Sequence, residues 1–235
     1  GILYQLLHDG GHGYFGHRKS RRIIKGAPTP QRNKTGTGKG KEKNMNTDYT
    51  FRRLSSDEVL DIYENSCPLH FPAPEIKPVF MIKSMVERGG YIGIGVYDGD
   101  RLAGYALCVQ APEKNTILLD YLAVFEEYRN KGVGALMLKE MQRIYTDMHG
   151  VIIETERPDK AEDEEDRTLR IRRNGFYKRS GCRQTELLTQ VAGVDFGIFY
   201  LPTGRQMPDE EVAVDLQNIY DFMLGEKYGR MFAFT

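Results

Sequence analysis

Long hydrophobic runs and paired cysteines are both missing from this chain of 235 residues. No apolar stretch approaches the roughly 20 residues of a membrane-spanning helix, and the opening GILYQLL is too short and lacks a basic flank for a secretory signal. Cys67, Cys108 and Cys182 are odd in number and form no C-x-x-C pair, which argues against a disulfide framework and a thiolate zinc site. We therefore predict a cytoplasmic globular protein that has no metal and does not bind a membrane.

A net charge is also missing, but the zero balance hides two unlike segments. Residues 1–44 contain 10 Lys+Arg and 2 Asp+Glu, a net charge of +8, which leaves −8 for residues 45–235. Most of the first segment is rich in Gly, Lys and Arg and shows no apolar period, so we predict that it is a basic disordered leader. The alternatives are an arm that binds nucleic acid, a phosphate loop at GTGKGK, and a metal site at His8, His12 and His17.

The leader also carries a signal for a different start of the protein. Lys41-Glu42 can be encoded AAG-GAG, which in a bacterial messenger would serve as a ribosome-binding sequence just upstream of the Met45 codon. We therefore expect that the protein is bacterial, that Met45 is its first residue and that residues 1–44 are not native. The acidic balance of residues 45–235 is unfavourable for binding a polyanion, so we predict no nucleic-acid partner.

Strand and helix patterns interleave from residue 45 onward. A helix start is predicted at Ser55 or Ser56, and a hairpin around the DGD turn at residues 98–100. Apolar central strands are predicted in NTILLDYLAV and GVIIETE, and an extended loop where four prolines recur in residues 68–78. Further helices are predicted at residues 132–147, in EDEEDRTLRIRRNGFYKRSG and, with an amphipathic pattern, in PDEEVAVDLQNIYDFMLGE. The fold class is therefore α/β or α+β with a mixed sheet.

The stretch LDYLAVFEEYRNKGVGALMLKEM runs from an apolar strand directly into a Gly-x-Gly helix start. Such a start leaves unpaired backbone N–H groups at the positive end of the helix dipole, which suits a phosphate or pyrophosphate. Gly132 and Gly134 allow a ligand to approach the backbone, and Arg129 and Lys131 add positive charge. The residue order departs from the dinucleotide and nucleoside-triphosphate loops. We predict an anion site here, with a plain tight turn as the alternative.

Two motifs resemble those of the GNAT acetyltransferase superfamily. YRNKGVGALM is similar to its acyl-CoA pyrophosphate motif, with Arg129, Gly132 and Gly134 on the defining positions. NGFYKRSGCR is similar to its FYEKNGF segment, with Tyr177 and Gly181 in place. The resemblance implies a GNAT-like fold, in which helices flank a central mixed, mostly antiparallel sheet. It assigns that domain to residues 45–205 and an added C-terminal amphipathic helix and tail to residues 206–235.

The resemblance implies an N-acetyltransferase that passes the acetyl group of acetyl-CoA directly to a primary amine of a small molecule or peptide. The alternative is a non-catalytic acyl-CoA-binding sensor or interaction module with the same fold. Either could be a monomer or a homodimer. Arg170 stands where many members have a CoA-contacting Asn, and Arg173 replaces a small residue. The implied CoA contacts are Leu122, Ala123, Val124, Arg129, Asn130, Lys131, Gly132, Val133, Gly134 and Ala135.

Acyl transfer needs a donor for the tetrahedral oxyanion and, for the departing thiolate, an acid. The resemblance implies that the backbone N–H of Val124 is the oxyanion donor and that Tyr177 is the acid, with a core tyrosine as the alternative role. His70 and Phe71 lie in the proline-rich segment, which borders the acceptor site in the superfamily. We therefore expect them to bind substrate, with surface packing as the alternative.

A base is also required, because an alkyl amine is protonated at neutral pH and cannot attack. Asp120 is the first candidate, since it is ionisable within an apolar strand, where a buried carboxylate needs a reason. A strand period of two predicts that Asp120 shares a face with Leu122 and Val124. Glu154 and Glu156 share one face of the next strand and are the reserve candidates. Their alternative roles are substrate binding and pairing with Arg172 or Arg173.

Overall fold

The computed structural model describes residues 49–112, 114–191 and 193–225, together with the backbone of residues 233 and 234. The predicted leader lies outside the described residues. Within them, eight strands form one sheet in the order β1-β2-β3-β4-β5-β7-β6-β8, and every neighbouring pair except β4 and β5 is antiparallel. This arrangement confirms the predicted mixed, mostly antiparallel sheet. The strands are Tyr49–Arg53 (β1), Tyr91–Asp98 (β2), Arg101–Val109 (β3), Thr116–Val124 (β4), Gly150–Glu156 (β5), Arg183–Val191 (β6), Val194–Pro202 (β7) and Ala233–Phe234 (β8).

Local sequence signals account for most of the element boundaries. The first helix begins after Ser55 with a capping box, in which Glu58 N–H donates to Ser55 Oγ and Ser55 N–H donates to Glu58 Oε2. The β2–β3 hairpin closes at the predicted DGD turn, where Gly99 has a φ of 60°. The helices are Ser56–Asn65 (α1), Cys67–His70 (α2), Val79–Glu87 (α3), Val133–Ile144 (α4), Glu164–Arg179 (α5) and Asp209–Leu224 (α6).

The proline-rich segment is not the extended loop that the sequence predicted. It contains the short helix α2 and a 3₁₀ turn at Ala73–Glu75. Pro68 and Pro74 occupy the first turns of these two elements, where proline's missing N–H would have no intrahelical partner in any case. The prediction was wrong because proline is compatible with the start of a helix as well as with extended backbone.

Helices cover the sheet on both faces. The helices α1, α3 and α6 pack on one face, and α4 and α5 pack on the other. The apolar side of the C-terminal helix is buried, as its amphipathic pattern predicted. Val212, Leu216 and Ile219 have no exposed surface, and Met223 is also buried. This contact places α6 against β4 and β6, in the same core as the rest of the domain.

The structure bears on the cysteines and on the question of a membrane-spanning helix. All three cysteines are buried and carry free thiols: Cys67, Cys108 and Cys182. No helix in the described part of the chain combines the length and the apolar character that crossing a bilayer requires.

The strands β4 and β5 separate half-way along their length. They pair from Thr116, opposite Gly150, to Leu119, opposite Ile153, and the register ends there. The remaining halves of the two strands diverge and leave a gap in the middle of the sheet. Backbone groups and side chains that would otherwise be covered by a neighbouring strand are therefore open on both sides of this gap.

A β-bulge lies in β4 where it pairs with β3. It contradicts the prediction that the side chain of Asp120 shares a face of β4 with Leu122 and Val124. Residues 107 and 108 of β3 pair with residues 121 and 119 of β4, so Asp120 is the extra residue. The bulge shifts the alternation of side chains. Leu122 and Val124 pack with the α4 and α5 core, whereas Asp120 contacts Tyr91 of the opposite core. The prediction of one shared face was wrong because a period of two assumes an unbroken strand.

Candidate active site

A cavity of about 990 Å³ opens where β4 and β5 separate. Its walls come from both diverging strands, the start of α4, the second half of α5, the proline-rich segment and α6. Of the residues that the sequence predicted for the site, Lys131 is not in the wall; its ammonium lies 5.4 Å from the ring centroid of Tyr128. All the others line the cavity: His70, Phe71, Asp120, Leu122, Ala123, Val124, Arg129, Asn130, Gly132, Val133, Gly134, Ala135, Glu154, Glu156 and Tyr177.

The turn before α4 is the segment for which the sequence predicted an anion site. Asn130 has a φ of 60° and Gly132 a φ of 80°, both in the left-handed region that glycine and, less often, asparagine adopt. The N–H of Leu136 donates to the carbonyl of Gly132 at 3.0 Å, which starts the helical hydrogen bonding. Helix geometry leaves the N–H groups of residues 133–135 without intrahelical partners. These donors lie at the cavity wall, with the positive end of the helix dipole behind them.

The turn is held in place by contacts on two sides. A Cβ on Gly134 would lie 3.3 Å from Cζ of Phe176, so the ring packs closely on this glycine. On the other side, Nε of Arg129 donates to the carbonyl of Val124 at 3.1 Å and ties the turn to the end of β4. The unpaired N–H groups are therefore fixed relative to the end of that strand.

The backbone N–H of Val124 faces the cavity. Val124 lies opposite Gly104 of β3, and the next residue, Phe125, donates its N–H to the carbonyl of Ala103 at 3.0 Å. Because successive N–H groups point to opposite sides of a strand, the N–H of Val124 points away from β3 and toward the gap. The divergence of β5 leaves this donor without a strand partner.

Tyr177 reaches the same cavity from α5. Its ring centroid lies 5.1 Å from that of Phe176 and 5.9 Å from that of Phe199, and the residue is buried. Burial raises the pKa of Tyr177 to about 12, against a lowering influence of Arg173. The hydroxyl therefore stays protonated through the neutral range and can donate a hydrogen bond or a proton.

Asp120 is engaged by two donors. The Nζ of Lys77 lies 2.5 Å from Oδ1, and the hydroxyl of Tyr91 donates to Oδ2 at 2.8 Å. The pair is largely buried, since 15 % of the Lys77 side chain and 5 % of the Asp120 side chain are exposed. Burial alone would lower the pKa of the Lys77 ammonium, but the Asp120 carboxylate outweighs burial and holds this pKa above its usual value. Both oxygens of Asp120 are thus committed to neighbours.

Glu154 lies across the gap from β4 and has a different environment. Its Oε1 accepts hydrogen bonds from the hydroxyl of Tyr220 and, at 3.1 Å, from Oγ1 of Thr189. Burial raises the pKa of Glu154, and the two hydrogen bonds and Lys77 only partly offset that rise. Glu154 is therefore a carboxyl group whose pKa is displaced toward neutrality.

Glu156 is bound to α5. Arg170 Nη2 and Arg173 Nη1 each lie 3.3 Å from its carboxylate, so the structure forms the predicted pairing with Arg173 and adds Arg170. Arg170 is buried and also donates to Asp166 and to the carbonyl of Arg157. The guanidinium that replaces the expected asparagine therefore joins α5 to the end of β5.

The segment that forms most of this cavity matches a known protein family. The family model for the acetyltransferase (GNAT) family matches residues 56–163, which include the turn before α4 and both diverging strands. Residues 56–163 therefore form a domain of the GNAT acetyltransferase family. Among curated proteins, none matches the sequence.

Solved structures share the architecture of this GNAT domain. A GNAT-family protein from Bacteroides thetaiotaomicron is 19% identical, covers 75% of this chain and 98% of its own, and gives a TM-score of 0.58. A GNAT-family protein from Desulfovibrio desulfuricans is 23% identical, covers 66% of this chain and 99% of its own, and gives a TM-score of 0.50. At these identities the likeness concerns the fold.

The proline-rich segment forms one wall of the GNAT cavity. His70 Nδ1 lies 2.9 Å from the hydroxyl of Tyr105, and the ring of Phe71 packs 4.8 Å from that of Tyr121, measured between centroids. Burial, and secondly the charge of Arg129, lower the pKa of His70, so its imidazole is neutral at physiological pH. Both side chains are therefore anchored to the sheet while facing the cavity.

Several ionisable residues of the GNAT cavity were not identified from the sequence, among them Glu75, Lys77 and Tyr220. Tyr220 stands four residues after Leu216 and so extends the apolar stripe of α6, a helical signal that was present. Glu75 and Lys77 lie between prolines, where no periodic pattern indicates which way their side chains point. Glu75 is exposed, but partial desolvation, and secondly the charge of Glu156, raise its pKa.

Proposed function

We propose that this protein is an N-acetyltransferase that transfers the acetyl group of acetyl-CoA directly to a primary amine of a small molecule or peptide. One observation carries the proposal. The unpaired N–H groups before α4, the free N–H of Val124, the hydroxyl of Tyr177 and the carboxyl of Glu154 all border the same cavity. Those groups are the ones that acyl transfer to an amine requires.

The two backbone sites suit the two ends of the co-substrate. We assign the pyrophosphate of acetyl-CoA to the N–H groups of residues 133–135, because a helix N-terminus favours anions. We assign the thioester carbonyl to the N–H of Val124, where a donor held in place by the strand can stabilise the oxyanion of the tetrahedral intermediate. Arg129 contacts both regions, which supports one ligand that spans them.

Glu154 is our proposed base. Its raised pKa is closer to the working pH than that of an ordinary carboxyl group, which favours proton transfer at neutral pH. Asp120 has both oxygens occupied by Lys77 and Tyr91, and Glu156 is paired with arginines. We assign these two carboxylates to holding the site together and to attracting a cationic substrate.

The proton transfers then balance. Glu154, directly or through water, takes a proton from the substrate ammonium, and the neutral nitrogen forms a C–N bond to the acetyl carbon. The N–H of Val124 stabilises the oxyanion. When the C–S bond breaks, Tyr177 donates its proton to the departing sulfur and recovers one from the new amide nitrogen. The net proton leaves through Glu154.

The acceptor should be a cation. Glu75 and Glu154 line the cavity and form no ion pair with any residue that the structure describes, and the charge of Lys77 is already committed to Asp120. Carboxylates in a low-dielectric wall favour entry of an ammonium group over a neutral or anionic substrate. The net negative charge of residues 45–235 would also attract a cationic substrate.

Acetyl-CoA should stabilise the full chain against unfolding. At a concentration of roughly 100 times Kd, a ligand that binds only the folded state adds about 2.7 kcal/mol. We expect thermal unfolding to shift clearly upward with acetyl-CoA and to shift little with free acetate. The same preparation should then release CoA when cationic amines are supplied. A folded protein without the shift would contradict the proposal, and a shift without CoA release from any amine would favour the non-catalytic binding module.

Replacing Tyr177 by phenylalanine should reduce kcat by roughly 10-fold to 100-fold. This effect is near the smallest that loss of a general acid produces, because a thiol of pKa about 8.5 is already a fair leaving group. The KM for acetyl-CoA should change little, since the ring remains. Tyr145→Phe is the matched control, because Tyr145 is a buried tyrosine outside the cavity whose hydroxyl has no partner among the described residues. Equal activity of the two variants would assign Tyr177 to the core.

A further inference from the structure

The helix α5 presents two arginines to the cavity for which the proposed mechanism has no role. Arg172, Phe176 and Arg179 are spaced i, i+4 and i+7, which puts them on one face of the helix, and all three line the cavity. Because Phe176 packs on Gly134, this face lies beside the start of α4. Arg172 and Arg179 therefore flank the predicted anion turn.

These two arginines stand apart from the ion pairs that the described residues form. Arg173, on the adjacent face, is paired with Glu156, but neither Arg172 nor Arg179 forms an ion pair with any residue that the structure describes. The guanidinium of Arg179 lies over Gly175, in the space that a side chain at position 175 would fill. A Cβ on Gly175 would lie only 2.9 Å from Nη1 of Arg179. A glycine inside a helix costs about 1 kcal/mol relative to alanine. Its presence lets the guanidinium fold back along α5.

The co-substrate carries more negative charge than the turn can neutralise. The pyrophosphate is matched by the N–H groups of residues 133–135 and by Arg129, whereas Lys131 does not line the cavity. The 3′-phosphate of the CoA nucleotide is a monoester and adds a charge of about −1.5 to −2 at neutral pH. Guanidinium groups are the side chains best suited to bind such a group.

We propose that Arg172 and Arg179 form a site for the 3′-phosphate of CoA and make the protein selective for CoA over nucleotides without that phosphate. This inference rests on the proposed function, since it assumes that acetyl-CoA lies in the cavity. It concerns a different part of the ligand from the reacting thioester, so it can fail while the proposed function stands.

The test compares the affinities of two ligands, CoA and dephospho-CoA, which has a hydroxyl at the 3′ position. Isothermal titration of the full chain should give a Kd for CoA that is about 10- to 100-fold lower than for dephospho-CoA. In the double variant Arg172→Gln/Arg179→Gln, the CoA affinity should fall to that of dephospho-CoA, and the dephospho-CoA affinity should stay within about twofold. The single variants should each lose part of the preference.

Lys178→Gln is the matched control, because Lys178 is exposed on the same helical turn and does not line the cavity. It should keep the preference for CoA. Equal binding of both ligands by the unmodified protein would overturn the inference. Equal weakening of both ligands in the double variant would also overturn it, since the arginines would then act on the pyrophosphate or on folding. If neither ligand binds the unmodified protein, the proposed function fails as well.

Discussion

Replacement of Gly134 by aspartate is expected to weaken acetyl-CoA binding by at least about 100-fold. Gly134 lies in the first turn of α4, where its N–H is one of the free donors at the cavity wall. An aspartate carboxylate there competes with the pyrophosphate for the same N–H groups and repels it. Loss of two charge-assisted hydrogen bonds, each worth about 1.5–3 kcal/mol, is enough for this effect.

The fold should tolerate this substitution. Gly134 has no positive φ, and an acidic residue is favourable in the first turn of a helix. The added Cβ would lie 3.3 Å from a ring atom of Phe176, which a shift of a few tenths of an ångström relieves. Gly134→Ala is the control, since it adds the same Cβ without the charge and should weaken binding by less than about 10-fold. A folded Gly134→Asp variant with unchanged affinity would remove the anion site.

Replacement of Glu154 by glutamine is expected to lower kcat by about 10²- to 10⁴-fold, the usual contribution of a general base. The Kd for acetyl-CoA, measured by titration, should stay within about threefold, because Glu154 lies across the gap from the turn. In the unmodified protein, kcat/KM should fall as the pH drops through the raised pKa of Glu154, since only the ionised carboxylate can accept the proton.

Stability separates this role from a structural one. Because burial raises the pKa of Glu154 in the folded state, its ionised form opposes folding above the pKa of the unfolded chain. Glutamine removes that charge and can still accept from Tyr220, so the unfolding temperature at neutral pH should not fall. A large loss of stability together with the loss of activity would show that the carboxylate acts through the fold.

Glu156→Gln is the matched comparison for the base, because it changes the same group on the same face of β5. Glu156 is paired with Arg170 and Arg173, so we expect a higher KM for the amine and a kcat within about threefold of the unmodified protein. If Glu156→Gln abolishes turnover and Glu154→Gln does not, the base is Glu156 and the assignment made here is wrong.

The elements that the sequence predicted well are those with short-range causes. The capping box of Ser55 and Glu58 joins residues three positions apart, and the DGD hairpin depends on one left-handed glycine. The turn at residues 129–134 likewise needs only local glycines and a following helix. The stripe of α6 repeats at helical spacing and is buried as expected. For each of these, neighbouring residues decide the backbone, so a single sequence was sufficient.

The partners inside the cavity depended on contacts that no local pattern encodes. Asp120 meets Lys77 across 43 positions of the chain, and Glu154 meets Tyr220 across 66. The bulge that turns Asp120 toward Lys77 arises from the pairing of β4 with β3, and no residue type in β4 announces it. The sequence by itself therefore determined most of the strands and helices and the Gly-x-Gly turn before α4, because short-range steric and hydrogen-bonding rules govern them. Only the tertiary structure decided which carboxylate is paired with a cation and which has a raised pKa, because burial and ion pairing arise when distant segments pack.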